Sequence, residues 1–400
     1  MTRLPVRCTR ERASGAVLMD RETPVGGEEG SPPAPLEDAP VRMDFPSVRL
    51  TIEDFEAEAR ERLPQMVFDY FAGGSGDEWT LRENRRAFER WMLRPRLLVD
   101  VSEIDLRTTV LGEEVPFPIL LAPTALQKLA HPDGELATAR AAAGLDAVMV
   151  LSTISSVSME EVAATGARRW FQLYVHKDRD LTAALVRRAH EAGYTAIVLT
   201  ADTPFLGRRL RDERNRFTLP PGIGLANVEG LPLPIAPGSS LFYYFAEQLD
   251  AAVTWDDVAW LASLSPLPLV VKGVLTAEDA RRAVGAGAAG LIVSNHGGRQ
   301  LDGVPATMDA LPEVLSACGD AMEVYLDGGI RRGTDVLKAL GVGARAVLIG
   351  RPYLWGLAAA GQEGVRDVVD MLRAELSLAM ALAGRQRIAD VDRSLVAPAP

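Results

Sequence analysis

Cysteine, histidine, positive charge and long apolar runs are all scarce in this chain, and each shortage removes a class of protein. Cys8 and Cys318 are the only cysteines among 400 residues. Two thiols cannot build a disulfide framework or a cysteine-rich metal site, and such sparing use suits a cytoplasmic location. No stretch approaches the roughly 20 apolar residues of a membrane span. Arg3, Arg7, Arg10 and Arg12 are followed by no continuous apolar segment, so no secretory signal is expected. The 43 Lys and Arg are outnumbered by 54 Asp and Glu, giving a net charge of −11. A basic face for nucleic acid is therefore not expected. The 4 histidines fall into no metal-ligand spacing, so the expected metal content is none.

What is present suits a globular enzyme. Hydrophobic residues make up 48% of the chain, and the mean hydropathy is near zero. Residues 1–46 are rich in Pro, Gly, Glu and Arg, with Gly26-Gly27-Glu28-Glu29-Gly30-Ser31-Pro32-Pro33 at their centre. This composition predicts a disordered tail, because it buries too little apolar surface to offset ordering entropy. Residues 47–400 are expected to form one domain. Thr51-Ile52-Glu53-Asp54 has the pattern of a capping box, and Phe55, Ala59 and Leu63 follow it in a helical lead-in.

Beyond the lead-in, strand and helix signals alternate. Eight short apolar runs, 119–122, 148–151, 170–173, 196–200, 267–272, 290–294, 324–327 and 346–350, read as parallel strands covered on both faces. Helical punctuation lies between most of them. Ser158-Met159-Glu160-Glu161 is a capping box, and 180–192 places Leu181, Leu185, Val186 and Ala189 on one face before Gly193. The α/β alternation predicts a TIM (β/α)8 barrel, with a doubly wound sheet as the alternative. The connection after the fourth strand is too long for a simple loop, and 205–260 is expected to be a lid insert.

In such a barrel, chemistry sits at the C-terminal strand ends. The sixth end is Ser294-Asn295-His296-Gly297-Gly298-Arg299. A base and a fixed cation on a glycine-rich loop suit proton abstraction next to a carboxylate. The fifth strand ends in Lys272, whose ammonium would be expensive on an apolar strand unless it faced an anion. The fourth offers Asp202, Arg208 and Arg209. Asp327-Gly328-Gly329-Ile330-Arg331 and Gly350-Arg351-Pro352 end the seventh and eighth. Glycine loops there form the usual phosphate site of these barrels, and Arg331 and Arg351 add positive charge. A phosphorylated ligand is therefore expected.

These motifs, with Asp69-Tyr70-Phe71-Ala72-Gly73-Gly74, Leu121-Ala122-Pro123-Thr124-Ala125, Phe171-Gln172-Leu173-Tyr174 and Leu199-Thr200-Ala201-Asp202-Thr203-Pro204, resemble a known family. It is the FMN-dependent L-2-hydroxy acid oxidases and dehydrogenases, especially glycolate oxidase-like and lactate oxidase-like members. The resemblance runs from about Thr51 to about Arg393. It implies FMN as cofactor and His296 as the base, with Asp202 holding its imidazolium. It implies Tyr70, Arg209 and Arg299 on the substrate carboxylate and Tyr174 near the substrate hydroxyl or carboxylate. Lys272 would lie by the flavin's N1–O2 edge. Pro123, Thr124, Ala125, Ser152, Gln172, Thr200 and Ser294 would line the flavin. Arg331, Gly350 and Arg351, next to the Asp327-Gly328-Gly329 loop, would hold its phosphate. The implied partners are a 2-hydroxy acid and molecular oxygen, in a homo-oligomer (tetramer or octamer); an acceptor other than oxygen is the alternative. Plant-like glycolate oxidases carry tryptophan at Ile154 and a basic residue at Phe205. Those departures predict lactate or a longer aliphatic acid over glycolate.

Overall fold

In the computed structural model, the described residues are 48–228, 245 and 247–400. The expected tail and residues 229–244 and 246 of the expected lid lie outside them. Three helices lead in: α1 (Ile52–Arg62), α2 (Gln65–Ala72) and α3 (Trp79–Arg86). Thr51 caps α1 as its sequence predicts. Its hydroxyl accepts from the Asp54 N–H at 3.2 Å, and the Asp54 carboxylate accepts from the Thr51 N–H at 2.8 Å. Helix α3 has no such local signal. Instead Asp302, far along the chain, accepts from the N–H groups of Trp79 at 3.3 Å and Thr80 at 2.8 Å.

Eight strands follow: β1 (Ile119–Leu121), β2 (Val148–Ser152), β3 (Arg168–Leu173), β4 (Ile197–Thr200), β5 (Leu269–Val274), β6 (Gly290–Val293), β7 (Glu323–Asp327) and β8 (Val347–Ile349). Each pairs in parallel with the next, and β8 pairs with β1, with Ile349 opposite Leu121. This last pairing closes a barrel and sets aside the doubly wound alternative. Helices α4 (Gly134–Leu145), α5 (Met159–Ala163), α6 (Arg179–Glu191), α7 (Leu210–Asn215), α8 (Trp255–Ser263), α9 (Ala277–Gly285), α10 (Thr307–Cys318), α11 (Gly333–Val342) and α12 (Arg351–Leu382) complete the chain. The backbone of α12 leaves helical values at Ala360 and Gly361. The span 205–260 contains α7 and the start of α8. Among the described residues, no helix is long and apolar enough to cross a membrane.

Strand alternation sorts the core into two clusters. One holds Ile119, Leu121, Met149, Leu151, Phe171 and Leu199, which meet the helices. The other fills the barrel with Leu120, Val148, Val150, Trp170, Val198, Val270, Ile292, Tyr325 and Leu348. Val110 and Val115, from the hairpin pair Thr108–Val110 and Glu113–Val115, join this inner cluster. Trp170 and Tyr325 meet edge to face at 5.6 Å. Burying a large apolar side chain contributes about 1.5–3 kcal/mol, so this double core fixes the strand ends firmly.

Candidate active site

The alternation that fills the barrel also builds the floor of a cavity at its C-terminal mouth. Two residues past the interior positions come Ala122, Ser152, Gln172, Thr200, Lys272, Ser294, Asp327 and Gly350. The inward-facing pattern thus turns polar in its last layer. Lys272 is 4% exposed. Its ammonium donates to Ser294 Oγ at 2.8 Å and pairs with Asp327 Oδ2 at 3.2 Å. Burial alone would lower its pKa, but Asp327 and Asp202 outweigh burial and hold it raised. Lys272 therefore stays a cation in the floor of the cavity.

His296 leaves β6 on a left-handed turn, at φ 58°. A histidine in this region is strained, and such strain persists only where surrounding contacts enforce it. Its Nδ1 meets Asp202 Oδ1 at 2.9 Å, and the Thr203 hydroxyl donates to the same oxygen at 3.1 Å. Asp202 reaches this position because residue 273 is glycine. Gly273 has φ 113°, and a Cβ there would lie 2.7 Å from Asp202 Cβ. Burial pushes the His296 pKa below its ordinary 6.5; Asp202 opposes the shift, and Lys272 and Arg209 add to it. Burial would raise Asp202, yet the imidazole and Lys272 keep it below its usual range. With Nδ1 committed to Asp202, Nε2 is the nitrogen left for a ligand.

Cations crowd the other side. Arg299 donates to the carbonyl of Tyr70 at 2.6 Å and of Gly73 at 2.9 Å. Its guanidinium lies 5.2 Å from the centre of the Tyr70 ring. That ring stacks on Phe217 at 4.5 Å. Burial, with Arg209 close by, pushes the Arg299 pKa down to about 10. Burial and the neighbouring Arg299 and Arg331 depress Arg351 further. Guanidiniums stay charged in proteins, so these shifts register crowded positive charge that anions would relieve.

The geometry fits a flat, polar-edged group carrying a phosphate. Gln172 Nε2, Arg209 Nε and Asp327 Oδ1 are buried without a partner, and buried polar atoms in native proteins ordinarily have one. All three residues line the cavity, with Arg331, Arg351, Gly328, Gly329 and Gly350 around its far end. FMN presents that chemistry: a ring with donors and acceptors along its edge, and a phosphate.

Nearly every residue singled out in the sequence lines this one cavity. Tyr70, Pro123, Thr124, Ala125, Ser152, Gln172, Tyr174, Thr200, Arg209, Lys272, His296, Arg299, Asp327 and Arg331 are among them. Asp202 and Ser294 stand one contact behind, on His296 and Lys272 respectively. Two positions add detail. Arg351 lines the cavity, yet it already donates to the carbonyls of Phe71, Gly297 and Gly73, each at 2.9 Å. It braces loops as well as presenting charge. Phe205 is 65% exposed and does not line the cavity, whereas its neighbour Leu206 does. Leu206, Phe245 and Leu354 are among the lining residues that the sequence did not reveal.

Known proteins resemble this chain along most of its length. The model of a family described as FMN-dependent dehydrogenase matches residues 59–398. An L-lactate oxidase from Nostoc sp. is 58% identical, over 87% of this chain and 98% of its own length. Glycolate oxidase 1 of Oryza sativa subsp. indica is 55% identical, over 86% of this chain and 94% of its own. A crystal structure of mandelate oxidase superposes with a TM-score of 0.81 at 46% identity, covering 86% of this chain and 97% of that one.

Proposed function

This chain belongs to the FMN-dependent dehydrogenase family, and we propose that it oxidises an L-2-hydroxy acid to the 2-oxo acid. In this reading lactate or a longer aliphatic acid is preferred to glycolate, and molecular oxygen is reduced to hydrogen peroxide. The observation that carries the reading is His296, backed by Asp202, facing the same cavity as Arg209 and Arg299.

Each side chain has one task. Arg209 and Arg299, with Tyr70, bind the carboxylate and so fix the α-carbon. Tyr174 hydrogen-bonds the hydroxyl or carboxylate. Asp202 accepts from His296 Nδ1–H, which leaves the Nε2 lone pair to take a proton from the substrate. Asp202 then stabilises the imidazolium. Lys272 supplies fixed positive charge where negative charge gathers. Bound FMN supplies the electron-pair acceptor that side chains lack. Oxidation releases two electrons and two protons, and oxygen takes up both to give the peroxide. Anaerobic titration with L-lactate tests the reading: the flavin colour should bleach, and air should restore it with peroxide formed. A flavin that keeps its colour with every 2-hydroxy acid offered rules the activity out.

Ile154, Leu206 and Phe245 line the cavity, and in this reading they form an apolar wall for the substrate's side chain. One methylene of apolar fit changes discrimination by about 1–3 kcal/mol. The expected kcat/KM for L-lactate is therefore about tenfold or more above that for glycolate. Ile154→Trp fills the wall and should reverse the ranking. Measuring both substrates on both proteins checks this, and a wild-type preference for glycolate overturns it.

Of Arg331 and Arg351, Arg331 has more spare donors. Its side chain donates to the adjacent Ile330 carbonyl at 2.9 Å, whereas Arg351 serves three carbonyls. A charge-assisted hydrogen bond contributes about 1.5–3 kcal/mol. Arg331→Ala should therefore weaken FMN binding by about 10- to 100-fold, read by fluorescence titration of the apoprotein. Unchanged affinity would place the phosphate elsewhere.

A further inference from the structure

His296 sits on a strained turn, and the fold spends an unusual amount of bonding on the residue before it. Asn295 is 4% exposed and Asn84, on α3, is 1% exposed. Their amides are joined both ways: Asn84 Nδ2 donates to Asn295 Oδ1 at 2.7 Å, and Asn295 Nδ2 donates to Asn84 Oδ1 at 2.7 Å. Three of their four amide atoms make a second bond. Asn295 Nδ2 also donates to the Pro305 carbonyl at 3.1 Å, and Asn295 Oδ1 also accepts from the Gly298 N–H at 3.1 Å. Asn84 Oδ1 also accepts from the Thr307 N–H at 3.3 Å. The clasp thus closes the 295–298 turn from its inner side, with His296 at its crest.

Asn84 also touches the loop after β7. Gly329 has φ 81°, and a Cβ there would lie 2.0 Å from the Asn84 carbonyl oxygen. A Cβ on Gly328 would lie 3.3 Å from Asn84 Nδ2. One residue outside the barrel therefore packs against two mouth loops at once.

We propose that Asn84 is a positioning residue for His296, acting through Asn295 to hold the left-handed turn that presents the imidazole to Asp202 and to the cavity. The pair must be two amides, because each member both donates to and accepts from the other. Buried hydrogen-bond networks of this kind rigidify the elements they join. A displacement of about 1 Å at a catalytic group is enough to lower a rate by about 100-fold. This proposal rests on the reading of His296 as the base.

Asn84→Asp is the informative variant, because it keeps size and the accepting oxygen but faces Asn295 Oδ1 with a second acceptor. In the holoenzyme, kcat for L-lactate should fall about 10- to 100-fold, with KM changed less than kcat. Asn295→Ser, which shortens the other member, should behave alike, and combining the two should be no worse than the worse single change. A readout independent of turnover accompanies these. The rate at which diethyl pyrocarbonate modifies His296, followed by peptide mass mapping across pH, reports the imidazole's own titration. Its midpoint should move in Asn84→Asp, because the contact with Asp202 is loosened. Unchanged kcat and an unchanged midpoint in both variants, even with a lowered Tm, overturn the proposal. If His296→Ala retains activity, the base assignment fails, while the modification profile still decides whether Asn84 positions the imidazole.

Discussion

Replacing His296 with alanine should lower kcat by about 100- to 10,000-fold, the usual contribution of a positioned general base, while the protein stays yellow. The two outcomes separate because the residue's contacts separate. His296 Nδ1 bonds Asp202, whereas the cations and glycine loops around the far end of the cavity come from other strands. Removing the imidazole therefore deletes the proton acceptor and leaves the cradle. The pH dependence of the wild type is a companion result. The imidazole must be neutral to accept a proton, and burial places its pKa below 6.5. The kcat/KM for lactate should thus be flat through neutral pH and fall only when acid protonates His296, at a pH below 6.5. An acid limb centred above that value, or full activity in the alanine variant, would remove His296 from the role.

Asp202→Asn should come next in size, with kcat lowered about 100-fold or more. A histidine–carboxylate pair does two things that asparagine cannot: it fixes the proton on Nδ1, and it stabilises the imidazolium that forms. The sign of the pH shift distinguishes this from a general disturbance. Asp202 raises the His296 pKa against the effect of burial. Without that carboxylate the acid limb should move to still lower pH while the plateau drops. A plateau that drops with an acid limb moving upward would mean that solvent had entered the site instead. Stopped-flow measurement of flavin bleaching across pH, on wild type and variant together, reads both quantities.

Much of this site was legible because it is an extension of periodic structure. Strands buried on both faces appear as short unbroken apolar runs, so their ends are easy to find. A lysine closing such a run, as Lys272 does, cannot be placed without an anion, and Asp327 is one, with the Ser294 hydroxyl as a further acceptor. Loops have no period, and there the sequence misleads by a single residue. Phe205 is exposed whereas Leu206 faces the cavity, and nothing in their order says which does what. Phe245 is visible only as part of an apolar cluster in a long connection; its contact with Tyr174, at 5.4 Å between ring centres, is tertiary. Asn84 and Asn295 are invisible for the same reason, since neither amide has its partner nearby in the chain. The start of α3 likewise depends on Asp302 rather than on a neighbouring cap.

Arg351 joins the carbonyls of Phe71 and Gly73, near the start of the domain, to that of Gly297 and to the last barrel strand. This has a bearing on biosynthesis. A ribosome delivers the lead-in helices first and Arg351 after the eighth strand, and chains begin to fold while still being made. The far end of the cavity cannot assemble around a ligand until that arginine has emerged. Nascent chains ending before Gly350 hold the whole of His296, Asp202 and Lys272, and still lack the side chain that draws the first helices down onto the mouth. Cofactor capture is thereby expected only in nearly complete chains, and a prematurely terminated product should be colourless.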